Sequence, residues 1–179
     1  MQPIHRVAVV GAGNMGSGIA QKSAQEEFDV QMVDRELQWV ERGQSIIADF
    51  LSEAVERRIF SPAQVESIQH RITGVVGVEN TAEDTDLVIE AVFEDFDVKT
   101  AVFNALDKAC GDSTILASNT SSLSVNALAE ATGRADRFVG LHFFYHPAKN
   151  RLVEVIPPNP PVKKPLTRSS STARCSGKS

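Results

Sequence analysis

The chain is poor in several things, and each shortage excludes something. It has two cysteines, one tryptophan and one tyrosine in 179 residues. Two thiols, Cys110 and Cys175, cannot build a disulfide framework, so a reducing setting such as the cytoplasm is expected. No apolar run approaches the ~18 residues that a membrane-spanning helix requires, and no membrane partner is expected. Met1-Gln-Pro-Ile-His-Arg leads into only four apolar residues, so no secretory signal is expected. Positive charge is also short. The net charge of −5 argues against broad nucleic-acid binding. His142 and His146 lie four apart, but no cysteine or acid cluster joins them. Pro147 also argues against a helix carrying both, so no metal site is expected.

What remains is an ordinary globular composition, 42% hydrophobic and 23% charged, at a length that suits one domain and a tail. The charge is unevenly placed. Residues 159–179 carry Lys163, Lys164, Arg168, Arg174 and Lys178 and no acid, which leaves residues 1–158 at −10. Pro157-Pro-Asn-Pro-Pro161 cannot continue a central strand, and the Ser-rich run beyond it has little to bury. The division expected is a folded domain over 1–156 and a disordered basic tail over 157–179.

Within the first part, short apolar runs alternate with helical patterns. Strands are expected at 4–10, 28–33, 72–78, 86–92, 114–117, 138–141 and 152–156. Helices are expected at 14–26, 37–59, 96–109 and 124–131, and Ser61-Pro62 signals a further short helix to about Gln69. Strand–helix alternation of this kind predicts an α/β fold with a doubly wound, mainly parallel sheet of Rossmann type.

The first βα junction reads Gly11-Ala-Gly-Asn-Met-Gly16. A lone G-x-G-x-x-G is weak evidence, but here it lies between a strand pattern and a helix pattern. The first glycine permits the turn, the second lets a pyrophosphate approach the backbone, and the third lets helix and strand pack closely. Free N–H groups of Asn14, Met15 and Gly16 at the helix start then face the phosphates. Asp34 ends the second strand 18 residues after Gly16, placed to accept ribose hydroxyls and to repel a 2′-phosphate. The expected cofactor is NAD, although Arg35 beside Asp34 softens that preference.

Four stretches together resemble the 3-hydroxyacyl-CoA dehydrogenase family. They are Gly11–Ala20, Asp86-Leu-Val-Ile-Glu-Ala-Val-Phe-Glu-Asp95, Ala117-Ser-Asn-Thr-Ser-Ser-Leu-Ser124, and Gly140-Leu-His-Phe-Phe144 continuing to Leu152-Val-Glu-Val-Ile156. The resemblance covers about residues 4–156. It implies oxidation of the 3-hydroxyl of an acyl-CoA substrate with hydride transfer to NAD, as in fatty-acid β-oxidation. It implies that His142 and Glu154 are the catalytic pair, that Ser121 contacts the substrate hydroxyl and the nicotinamide region, and that Glu94 and Lys99 contact the cofactor. Taken alone, each of these reads first as an ordinary residue: His142 a strand-end histidine, Ser121 a helix cap, Glu94 and Lys99 a solvated first turn. The chemistry fits independently, because oxidising a secondary alcohol needs a base near neutrality, and a carboxylate on the far imidazole nitrogen would orient it.

The chain also departs from the family. Tyr145-His146-Pro147 stands where Asn-Pro is usual, which makes Tyr145 the substrate-side donor. Phe50 stands where a serine is usual in the CoA-binding helix, while Arg57 keeps a positive charge there. The pattern stops after Ile156, where the family continues into a helical domain, and the tail reads as a truncation or a frame change. An apolar face is therefore expected, covered by self-association or a partner. Two other functions share these motifs: a nucleotide-binding module that does not turn over, and a sugar-acid dehydrogenase.

Overall fold

The computed structural model describes residues 3–159. Seven strands form one sheet: β1 (Arg6–Val10), β2 (Asp29–Asp34), β3 (Ile72–Val76), β4 (Leu87–Glu90), β5 (Ile115–Ser118), β6 (Phe138–Phe143) and β7 (Val153–Ile156). The order across the sheet is β3-β2-β1-β4-β5-β6-β7. All neighbours are parallel except β6 and β7. The helices are α1 (Asn14–Gln25), α2 (Leu37–Glu56), α3 (Pro62–His70), α4 (Phe96–Ala109) and α5 (Val125–Glu130).

Side chains of a strand alternate between faces, and β1 shows why the sheet is covered on both sides. Val7 and Val9 join Ile19, Met32, Ile47, Leu51 and Ile89 in one core. Ala8 and Val10 join Val88, Phe103, Leu106, Leu116 and Phe138 in the other. Phe103 and Phe138 meet edge-on at 4.9 Å between ring centres.

Local chemistry sets the boundaries. α3 opens with a capping box, in which Ser61 Oγ accepts from Gln64 N and the Gln64 side chain accepts from Ser61 N. α2 stops at Glu56 instead of continuing to Ile59. Arg58 turns to a φ of +58°, and the N–H of Ile59 donates to Ala54 O, folding the chain back. β6 runs two residues further than its apolar pattern, to Phe143, so His142 is inside the strand. Most of the expected tail, 160–179, lies outside the described residues, and Cys175 with it. No helix among the described residues is long and apolar enough to cross a membrane.

Candidate functional site

The parallel strands all point their carboxyl ends to one edge of the sheet. Gly11 follows β1, Asp34 ends β2, Glu90 ends β4, Asn119 follows β5, and His142 is near the end of β6. Doubly wound sheets bind ligands along this edge.

The glycine turn is built for its three different demands. Gly11 has a φ of +104°, and a Cβ there would come within 2.7 Å of Ala91 O. A Cβ on Gly16 would lie 1.6 Å from Gly11 O. A Cβ on Gly13 would meet no protein atom within 4 Å, so the backbone is bare toward the cleft. Gly13 is the N-cap of α1, no side chain caps that end, and no acid lies in the first turn. Asn14 and Met15 open the helix, and the N–H of Ser17 makes the first return bond, to Gly13 O at 2.8 Å. The N–H groups before it are left for an anion. Asp34 Oδ2 accepts from Ala12 N at 2.7 Å and Oδ1 from Arg35 N at 2.7 Å, which fixes the carboxylate over the turn. Gly11, Gly13, Asn14, Asp34, Trp39 and Val92 are among the residues lining a cleft of about 580 Å³. These residues fit a dinucleotide.

Next along the edge lies a charged cluster that is largely internal. Glu90 is 0% exposed and Lys99 is 1% exposed. Lys99 Nζ donates to Glu90 Oε1 at 2.6 Å and to Val92 O at 3.4 Å, and pairs with Glu94 Oε2 at 3.1 Å. The ammonium thus faces inward, neither solvated nor turned to the cleft. Glu94 Oε1 accepts from Thr120 Oγ1, from Ser121 N at 3.0 Å, and from Ser122 N and Oγ at 3.3 and 3.2 Å. Burial pushes the Glu94 carboxyl up, but the bonds from Thr120, Lys99 and Ser121 outweigh it and hold it lowered to about 2. Ser121 is exposed, and the cap of α5 is Ser124, whose Oγ accepts from Ala127 N. Ser121 is therefore not used as a cap.

On the last two strands, His142 and Glu154 are register partners. His142 Nδ1 lies 2.9 Å from Glu154 Oε2. Asn119 Oδ1 accepts from Phe143 N at 2.9 Å, tying the end of β6 to the loop after β5. The pair is only partly enclosed, with side chains 22% and 52% exposed.

The β6–β7 loop crosses to α2. Tyr145 is 74% exposed. The His146 ring stacks on Phe50, centres 4.6 Å apart and planes 9° apart. Lys149 Nζ lies 4.7 Å from the Phe50 ring centre, and Arg57 pairs with Glu53 at 2.5 Å. Phe50, Arg57, Phe60 and Lys149 help line a cleft of about 260 Å³. Lys149 and Arg57 thus both bring positive charge to this cleft, Arg57 with Glu53 as its neighbour.

Glu90, Ser118, Asn119, Thr120 and Lys149 were not singled out by pattern. Glu90 carried a signal, an acid inside the apolar run Leu87-Val-Ile-Glu-Ala-Val92. The others become visible only through their partners. No cluster of three or more histidine, cysteine or acid side chains that could hold a metal ion occurs among the described residues.

The chain matches the family described as "3-hydroxyacyl-CoA dehydrogenase, NAD binding domain" over residues 6–179. It is 40% identical over 153 residues to a probable 3-hydroxybutyryl-CoA dehydrogenase of Bacillus subtilis (strain 168), covering 86% of this chain and 53% of that protein. It is 37% identical over 169 residues to the mitochondrial hydroxyacyl-coenzyme A dehydrogenase of Sus scrofa, covering 92% and 52%. Its fold superposes on a crystal structure of (S)-3-hydroxybutyryl-CoA dehydrogenase from Ralstonia eutropha with a TM-score of 0.83 at 39% identity, over 87% of this chain and 55% of that one. The chain spans about half the length of these relatives.

Proposed function

This chain belongs to the 3-hydroxyacyl-CoA dehydrogenase family as its NAD-binding domain, and from that premise we propose that it serves oxidation of the 3-hydroxyl of an acyl-CoA. The observation that carries the reading is the His142–Glu154 pair, 2.9 Å apart on the edge that also holds the glycine turn. The N–H groups of Gly13, Asn14, Met15 and Gly16 receive the pyrophosphate, and Asp34 receives the adenosine ribose. Bound NAD supplies a hydride acceptor. Glu154 keeps the Nδ1 proton of His142 in place, which leaves Nε2 as the base for the substrate hydroxyl. As that proton arrives, the Glu154 carboxylate offsets the charge on the imidazolium. Ser121, free of capping duty, is the hydroxyl partner on the substrate side, and Tyr145 is a second one. Arg57 and Lys149 supply positive charge along the acyl-CoA path.

Exposure of Glu154 and Tyr145 leaves this arrangement wet, and charges in water guide a proton transfer less well than enclosed ones. Turnover by the 179 residues alone is therefore weak in this reading. Leu152 and Ile156, two residues to either side of Glu154, are 56% and 39% exposed, and they form part of an apolar face that a second copy or a partner covers. The test is NADH formation from NAD and 3-hydroxybutyryl-CoA. Slow turnover that His142→Ala abolishes supports the reading. NAD binding without any turnover favours a nucleotide-binding module. Turnover of hydroxy acids lacking CoA, and not of the thioester, points to a sugar-acid dehydrogenase.

A further inference from the structure

Between Phe143 and Val153 the chain leaves the sheet, and His146 is where it meets two helices. The ring stacks on Phe50 of α2, centres 4.6 Å apart. It also meets α1 at Gly18, where a Cβ would lie 3.3 Å from His146 Cε1 and 3.0 Å from Pro147 Cδ. The same residue closes the turn of the loop. Its Nδ1 accepts from Ala148 N at 3.3 Å, and its carbonyl accepts from the N–H groups of Lys149 and Asn150, each at 2.9 Å. This loop and α2 are two walls of the 260 Å³ cleft, with Ala148 and Lys149 on one and Phe50, Glu53 and Ala54 on the other. The glycine turn and Asp34 line a different cleft and share no residue with this one.

We propose that His146 is a positioning residue: its neutral ring latches the β6–β7 loop onto α1 and α2, so holding the loop wall of this cleft, and acid releases it. On the reading that the cleft lies on the acyl-CoA path, acyl-CoA affinity falls with the latch and nucleotide affinity does not. Protonation would take the Nδ1 lone pair from Ala148 N–H. An imidazolium is attracted to an aromatic face, but the Lys149 ammonium already lies 4.7 Å from the centre of the Phe50 ring. The other charges nearby offset one another. Glu53 and Arg57 of α2 are paired, and so are Lys22 and Glu26 of α1, one turn beyond Gly18, with Arg151 acting on Glu26. The net charge met by the ring is therefore that of Lys149, and burial adds to its effect in keeping the imidazole neutral.

The test uses the full chain from about pH 8 to about pH 5.5. Wild type is compared with His146→Phe, which keeps an aromatic ring on Phe50 and cannot titrate, and with His146→Ala, which loses the stack. NMR follows the His146 ring and the amides of Lys149 and Asn150. Calorimetry reads affinity for 3-hydroxybutyryl-CoA and for ADP. In wild type the two amides should move with the His146 ring as pH falls below its ordinary 6.5. Thioester affinity should fall by about tenfold more in wild type than in His146→Phe over that range. At the upper pH His146→Phe should lie within about threefold of wild type, and His146→Ala should bind weakly at both ends. ADP affinity should change with pH alike in all three. Amides that stay in place while the ring titrates overturn the proposal, and so do equal pH profiles of thioester affinity in wild type and His146→Phe. ADP affinity that collapses with thioester affinity in wild type alone also overturns it, because that marks a domain unfolding in acid. A wild-type chain that binds no thioester at the upper pH, while its loop amides follow His146, overturns the acyl-CoA reading and supports the latch.

Discussion

His142 and Glu154 stand directly opposite one another on β6 and β7, the only antiparallel pair of the described sheet, with Nδ1 and Oε2 2.9 Å apart. The return strand is what brings them together. A carboxylate 12 residues along a parallel arrangement would need a crossover, whereas an antiparallel neighbour places its side chain on the same face at the shortest cross-strand distance.

That geometry makes the two positions separable by kinetics. His142→Ala should lower kcat by roughly 10²–10⁴-fold while leaving NADH affinity nearly unchanged. Glu154→Gln should cost less, because half the side chain is in water and solvent screens its charge. Steady-state rates with 3-hydroxybutyryl-CoA, together with calorimetry of NADH, check both. Equal losses of rate and cofactor affinity would show that the substitutions act on the fold.

The glycine turn makes a contrasting pair. At Gly13 an added side chain meets no protein atom, so Gly13→Val should fold and melt near wild type yet lose NAD binding. At Gly16 the added Cβ falls on Gly11 O, so Gly16→Ala should destabilise the domain by several kcal/mol, as overpacking against backbone does. Thermal unfolding and Trp39 fluorescence titration distinguish them. Normal NAD affinity in folded Gly13→Val would falsify the pyrophosphate assignment.

The β6–β7 loop should be sensitive to acid. Burial, and then the charge of Lys149, hold the His146 imidazole below its ordinary 6.5. Its Nδ1 accepts from Ala148 N at 3.3 Å, which requires that nitrogen to be unprotonated. A depressed folded value means that the stabilisation is complete above the ordinary value and is lost as pH falls from there through the folded one. His146→Phe keeps the stack on Phe50 and removes the titration. Melting temperatures from about pH 8 to pH 5 should therefore fall more steeply in wild type than in the variant, with the difference opening below about pH 6.5. Parallel curves would remove His146 from the account.

Arg134 closes the far end of α4, the helix that carries Lys99. Its guanidinium donates to Asp107 Oδ1 at 2.6 Å and to the carbonyls of Gly111, Asp107 and Cys110 at 2.6, 2.8 and 3.3 Å. Arg134→Ala would leave the carbonyls of Asp107 and Cys110 without these donors, while Gly111 O keeps the N–H of Thr114, at a cost of about 2–4 kcal/mol. Denaturant unfolding should show a lower midpoint with an unchanged slope. A midpoint equal to wild type would mean that water replaces the guanidinium without loss.

The sequence by itself determined the alternation of strands and helices, the parallel sheet, the glycine turn and the acid at the end of β2. These are local matters: a period of 2 or 3.6, a cap, a turn that only glycine tolerates. It also placed α4 at the residues the structure assigns to it, because Asp95 is a side-chain cap and the apolar stripe behind it is unbroken. Where an element stops was less legible. The end of α2 depends on Arg58 entering a left-handed conformation that its own side chain does not favour. Only the tertiary structure decided where Lys99 lies and what it pairs with. From the sequence it belonged to a first helical turn, which is exposed by default. In the fold that turn packs against the ends of β4 and β5, and a lysine placed there loses its water and must find carboxylates. Glu90 supplies one from inside an apolar strand and Glu94 another from the edge. Such long-range pairing has no period and no fixed spacing, so no local pattern records it.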